Sequence, residues 1–253
     1  MNLLLLSNST NAGSSYLEHA RSAIGELAHG RRVVFVPFAL DDWDGYTTQV
    51  RRSLPGVEVL GAHEAGLADE TILAADVVFV GGGNTFRLLE TLERLDLTGP
   101  LAERVRAGAC AYIGASAGTN IACPTIRTTN DMPIVEVQSL SALNLVPFQI
   151  NPHFTDAQPQ NLMAETRRER IAQFHERSAT PVLGLREGAW LRVDGEERVI
   201  GGENGAVLLT RDESVELAEG ASLNRWWSTS AYDDHKPLIM NRHHISNAGP
   251  RSI

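Results

Sequence analysis

Residues 112–120 read YIGASAGTN, a serine set between two glycines as Gly114-Ala115-Ser116-Ala117-Gly118 and directly preceded by an apolar run. A serine hydroxyl becomes a useful nucleophile only beside a base and a site for the developing oxyanion. Glycines on either side permit a sharp strand-to-helix turn that would lift Ser116 out of a sheet, with the Ala117 N–H at the start of the next helix facing the oxyanion. A second glycine stretch, FVGGGNTFRLL at 79–89, fits neither common phosphate-binding pattern. Phe86 stands where a dinucleotide loop needs its third glycine, and no Gly-Lys-Ser/Thr follows. Its backbone could supply the other oxyanion donor, with Gly83 and Asn84 as candidates. The plainer reading is a tight turn capped by Asn84.

Of the eight histidines, His153 in QINPHFT closes an apolar strand beside Pro152, at the kind of sheet end where sites of α/β proteins gather. It is the candidate base. Two carboxylates are placed to orient it: Asp131 in the polar loop between Ser116 and His153, and Glu165 just ahead of a Thr166-x-x-Glu169 capping box. Arg167 falls on one helix face with Ile171 and Phe174, and suits bidentate binding of a carboxylate. Arg127 is a second candidate for the same task.

These residues need a frame. Continuous apolar, β-rich runs occur at 3–7, 32–38, 57–62, 76–83 and 111–116. Unbroken rather than alternating runs suit strands buried on both faces of a parallel sheet. Helical patterns lie between them at 14–28, 85–95 and 101–107, and this rhythm predicts an α/β, doubly wound fold with a mostly parallel sheet flanked by helices. Beyond residue 120 a polar loop leads to a strand within 143–154 and a helix over 166–177. Residues 181–210 then read as a C-terminal β-meander closing the domain. A single catalytic domain is expected over 1–220, with 221–253 as a tail.

The chain has 253 residues, 43% hydrophobic and 21% charged, with a formal net charge of −9. That acidity argues against a nucleic-acid partner, and an acidic substrate would need a local Arg. No apolar run nears the roughly 20 residues of a membrane span, and the start MNLLLLSNST lacks the basic flank of a signal peptide. The cytoplasm is the expected compartment. Cys110 and Cys123 are too few and too far apart for a zinc knuckle or a redox pair, and both read as reduced thiols.

Taken together, LLLLSNST, VGGGNTFRLL, YIGASAG, ACPTIRTTNDMPIV and QINPHFT resemble the peptidase E family of cytoplasmic serine aspartyl dipeptidases, over about residues 1–220. The resemblance implies an α/β fold related to class I glutamine amidotransferases. It implies cleavage of dipeptides with an N-terminal aspartate, with no metal or other cofactor and no membrane or nucleic-acid partner; a homodimer is left open. Ser116 carries over as nucleophile and His153 as base. For the third member the family pattern points to Asp131 or to a glutamate matched here to Glu165. Arg167, within the retained Glu165-Thr166-Arg167 unit, becomes the reader of the aspartate side chain. Ala115 departs from the bulkier residue expected before the nucleophile.

Several rivals compete. A cyanophycinase-like or isoaspartyl peptidase would share the fold. An α/β-hydrolase esterase predicts an upstream His-Gly-Gly-Gly and a far-downstream histidine, whereas His153 follows Ser116 by only 37 residues. A glutamine amidotransferase wants Cys at the turn. A non-catalytic nucleotide-binding domain would use the GGGN loop without hydrolysis.

Overall fold

The computed structural model describes residues 1–156 and 165–227. The first strand explains the architecture. β1 (Asn2–Leu6) buries Leu3, Leu4, Leu5 and Leu6 completely. Successive side chains of a strand point to opposite faces. Accordingly Leu3 and Leu5 enter one core and Leu4 and Leu6 the other. A strand apolar on both faces belongs mid-sheet, and β1 lies between β5 (Ala111–Ala115), parallel to it, and β8 (Ala189–Asp194), antiparallel.

Among the described residues this sheet has seven strands, in the order β3 (Val59–Gly61), β2 (Val33–Val36), β4 (Val77–Val80), β5, β1, β8 and β9 (Glu197–Gly202). β2, β3 and β4 continue the parallel half. One face is covered by α1 (Arg21–Ala28) and α2 (Trp43–Ser53), which contribute Ile24, Leu27 and Val50. The other is covered by α3 (Ala68–Leu73), α4 (Thr85–Arg94), α5 (Thr98–Arg106) and α6 (Ala117–Ile121). The α/β reading with a mostly parallel sheet holds, and strand limits differ from the apolar runs by a few residues at most. The helices α2 and α3 are not among those expected from the sequence; α2 buries Tyr46, Thr47 and Val50 on a narrow stripe.

The C-terminal strands correct one expectation. They do not form one meander. β8 extends the main sheet antiparallel to β1, and β9 pairs antiparallel with β8 at the edge, whereas β7 (Val182–Arg186), β10 (Ala206–Leu209) and β11 (Ser214–Leu217) join β6 (Gln149–Phe154) in a separate sheet, order β11-β10-β7-β6. β8 alternates, burying Ala189, Leu191 and Val193, and forms a hairpin with β9, but its other edge pairs with β1 rather than with β7. Helix α7 (Arg167–Arg177) covers the small sheet through Ile171, and its Thr166/Glu169 capping box is present as expected. Residues 221–227 join the body: Leu223 is fully buried and Trp227 stacks 4.3 Å from Phe148. The remainder of the expected tail, 228–253, lies outside the described residues.

Candidate active site

β5 ends at Ala115, and Ser116 takes φ 51°, ψ −104° before α6 begins. A non-glycine residue at positive φ is uncommon, and such strain gathers at functional sites. Packing dictates the turn. A Cβ on Gly118 would lie 2.2 Å from the Val80 carbonyl oxygen, and one on Gly114 would lie 2.6 Å from the Gly118 oxygen. Helix and strand approach so closely that only glycine fits at either position. The Ser116 N–H donates to Leu6 O at 3.1 Å. Thr119 Oγ1 donates to Leu6 O and Gly114 O at 2.7 and 2.9 Å, which anchors the first turn of α6.

His153 reaches Ser116 from the small sheet because β6 is irregular. Asn151 pairs with Gly184 and Phe154 with Arg186, so three steps of β6 span two of β7. The extra residue falls at Pro152-His153, where proline can donate no ladder hydrogen bond. His153 sits at φ 54° in the bulge, and its N–H donates to Ser7 Oγ at 2.9 Å. The bulge re-aims the imidazole. Nε2 lies 2.9 Å from Ser116 Oγ, and Nδ1 lies 2.9 Å from Oε1 of Glu187.

Glu187, not among the residues expected from the sequence, is the carboxylate that meets His153, whereas the two acids expected there lie elsewhere. Neither Asp131 nor Glu165 bonds His153. Asp131 Oδ2 instead accepts from Thr85 N (2.8 Å), Thr85 Oγ1 (2.5 Å) and Thr129 Oγ1 (3.1 Å), all at the start of α4 and its facing loop. A carboxylate there is favoured by the helix N-terminus. Glu165 is exposed and engages Gln173 at 2.8 Å and Arg170 at 3.7 Å. Glu187 immediately follows β7, whose parallel neighbour is β6. An acid just past the apolar run PVLGL was the available signal, but it acquires meaning only once β6 and β7 are known to be adjacent. Its backbone is held from both sides: Asn204 Nδ2 donates to Glu187 O at 2.9 Å, and Gly188 N donates to Asn8 Oδ1 at 2.8 Å.

The remaining candidates divide. Gly83 lies in the turn between β4 and α4, at φ +135°, and a Cβ on its neighbour Gly82 would be 3.2 Å from Ser116 Cβ. The glycine turn therefore abuts the serine turn. Ala117 is the first residue of α6, where helix geometry leaves N–H groups unpaired. Asn84 is committed to structure: its Oδ1 caps α4, accepting from Phe86 N and Arg87 N, and its Nδ2 donates to Met132 O. Arg167 is half-buried at the first position of α7 and has no ion pair among the described residues. Burial pulls its guanidinium below the usual range, with Arg170 adding and Asp131 opposing. Arg127 is exposed and lines a cavity of about 820 Å³ with Arg170, Arg177 and Asp131.

Hydroxyl, imidazole and carboxylate joined in line are how serine hydrolases make an alcohol nucleophilic, and that class follows from the two 2.9 Å contacts of His153. Comparison with known proteins narrows it. Residues 3–201 match the model of Peptidase family S51. Peptidase E of Streptomyces coelicolor is 54% identical over 229 residues, covering 88% of this chain and 94% of the relative. Peptidase E of Salmonella typhimurium is 47% identical over 227 residues, covering 87% and 99%. The chain belongs to peptidase family S51 and is a serine-type peptidase. Solved structures agree on the fold. A peptidase from an acI-B1 Actinobacterium superposes with TM-score 0.63 at 17% identity, covering 88% of this chain and 96% of its own. A candidate peptidase E from Listeria monocytogenes gives 0.61 at 24%, covering 80% and 98%. Among the described residues no helix is long and apolar enough to cross a membrane.

Proposed function

We propose that this enzyme hydrolyses dipeptides with an N-terminal aspartate, Asp-Xaa, through an acyl-enzyme on Ser116. The observation that carries the reading is the line Ser116–His153–Glu187, with both contacts at 2.9 Å. Ser116 Oγ attacks the peptide carbonyl while His153 Nε2 takes its proton. Glu187 holds Nδ1–H, fixing the tautomer and balancing the imidazolium charge. The N–H groups of Ala117 and Gly83 receive the oxyanion. His153 then protonates the departing amine as the C–N bond breaks. Water, deprotonated by His153, attacks the ester and releases free aspartate, restoring the Ser116 hydroxyl.

Specificity is assigned to Arg167. A half-buried guanidinium without an ion pair among the described residues is a charge awaiting a partner, and the side-chain carboxylate of the substrate supplies one. Such a local cation also offsets the repulsion between an acidic substrate and a chain of net charge −9.

The test is release of aspartate from Asp-Leu, with Glu-Leu and Leu-Asp as controls, by the wild type and by Ser116→Ala. Cleavage of Asp-Leu alone, lost in the variant, is expected. A folded wild type that leaves Asp-Leu intact but cleaves β-aspartyl peptides would replace this reading with the isoaspartyl alternative.

A further inference from the structure

The turn proposed to hold the oxyanion is made of three consecutive glycines, the residues with the greatest backbone freedom. Something must restrict it if its N–H groups are to be aimed. Of the four N–H groups from Gly81 to Asn84, Gly81 donates to Val36 O at 3.1 Å and Asn84 to Ala39 O at 3.0 Å. Gly82 donates to the hydroxyl of Tyr46 at 2.7 Å. Gly83 N–H has no acceptor among the described residues, so it is the group left to face a substrate. In this set Tyr46 is the one partner that is a side chain.

Tyr46 is held rigidly. It stands on α2, whose N-terminus is capped by Asp42. Its ring meets Phe35 edge-on at 4.9 Å and 87°, and Phe35 meets Phe79 of β4 at 5.3 Å. Tyr16 Oη donates to Tyr46 Oη at 3.2 Å. Burial, with Tyr16 adding, keeps the Tyr46 phenol well above its ordinary range, so it remains a neutral hydroxyl. There is little slack on the other side of the turn, since a Cβ on Gly82 would press on Ser116 Cβ and the Ala115 carbonyl at 3.2 and 3.3 Å.

We propose that Tyr46, steadied by Tyr16, is a positioning residue for the reaction: by accepting the Gly82 N–H it fixes the glycine turn so that Gly83 N–H points at the carbonyl attacked by Ser116. This rests on the role of Ser116 given above but not on the identity of the peptide. Without the hydroxyl, Gly82 N–H is buried without an acceptor and the turn relaxes to recover a partner.

The experiment compares wild type, Tyr46→Phe and Tyr16→Phe in two assays, Asp-Leu hydrolysis and inactivation by a fluorophosphonate. That reagent places a phosphoryl oxygen where the oxyanion forms, so it reports on Ser116 whatever the natural substrate. Loss of an oxyanion donor costs about 10²–10³ in rate, and misaiming one costs less. Tyr46→Phe is expected to lower kcat and the inactivation rate about 10–100-fold with KM within about twofold, because the loss arises only in the transition state. Tyr16→Phe, which keeps the Gly82 contact, is expected to lower both about threefold. A purely structural tyrosine would lower the melting temperature and leave both rates of the folded protein unchanged, and that result overturns the proposal. Should Tyr46→Phe not fold, unchanged rates in Tyr16→Phe overturn it equally. Failure of wild type on Asp-Leu with normal inactivation kinetics would remove the dipeptide reading alone.

Discussion

His153 lies in the bulge one residue before the end of β6 and Glu187 just past the end of the parallel β7, and the Nδ1–Oε1 distance of 2.9 Å between them sets which ring nitrogen of His153 faces Ser116. The carboxylate lies 34 residues beyond the histidine and is exposed. A carboxylate partly in water orients and stabilises an imidazolium less strongly than a buried one.

Glu187→Gln is therefore expected to lower kcat on Asp-Leu by about 10–10³-fold, short of the roughly 10⁴ seen for a buried triad acid. Glu165→Gln should stay within about twofold of wild type. Steady-state kinetics on the two variants decide the matter, and the reverse order of effects would return the orienting role to Glu165.

Asp131 takes three hydrogen bonds from Thr85 and Thr129 and makes none to His153, whose ring bonds Ser116 and Glu187. Its removal leaves the Thr85 N–H without its acceptor, while the Thr85 and Thr129 hydroxyls keep each other as partners, a loss of about 1–3 kcal/mol. For a chain of this size each kcal/mol shifts the melting temperature by about 2–4 °C. Asp131→Ala should melt about 2–12 °C below wild type by calorimetry, and because Thr85 follows the glycine turn its kcat should fall as well. An unshifted melting curve would mean that the carboxylate is not the anchor of the α4 N-terminus.

Replacing Arg167 by Gln should erase the distinction between Asp-Leu and Asn-Leu. Loss of one member of a desolvated charge pair costs about 2–5 kcal/mol, so kcat/KM for Asp-Leu should fall at least about 30-fold, with a much smaller change for Asn-Leu. Equal losses on both substrates would place the specificity determinant elsewhere.

Both cysteines are buried, and burial pushes the thiol of Cys110 up to about 11 and that of Cys123 up to about 12. The reactive form is the thiolate. It is present only as pH rises toward those values, so at pH 8 both side chains are protonated and inert. A disulfide reagent should modify neither in the folded enzyme and both in denaturant, with activity untouched in the first case. Rapid modification of the native protein with loss of cleavage would contradict the buried placement.

What could be read from the sequence was local. Unbroken apolar runs in β1, β2, β4 and β5 signal strands covered on both faces, because burial on two sides removes alternation. The glycines flanking Ser116 mark a turn, since a Cβ at Gly118 would collide with Val80. The Thr166/Glu169 box marks the start of α7 through contacts within one helical turn. Family membership was legible for the same reason, resting on short contiguous stretches. Where reading failed, the deciding contact was long-range. The C-terminal strands divide between two sheets because β8 pairs with β1 and β7 with β6, partners far away in the chain. Asp131 seemed free to serve His153 until α4 claimed it. Glu187 had no visible role until the β6 bulge turned His153 toward it. Period and turn chemistry are written residue by residue; which carboxylate meets which imidazole depends on strand order and register, and only the packed tertiary structure decided those for this protein.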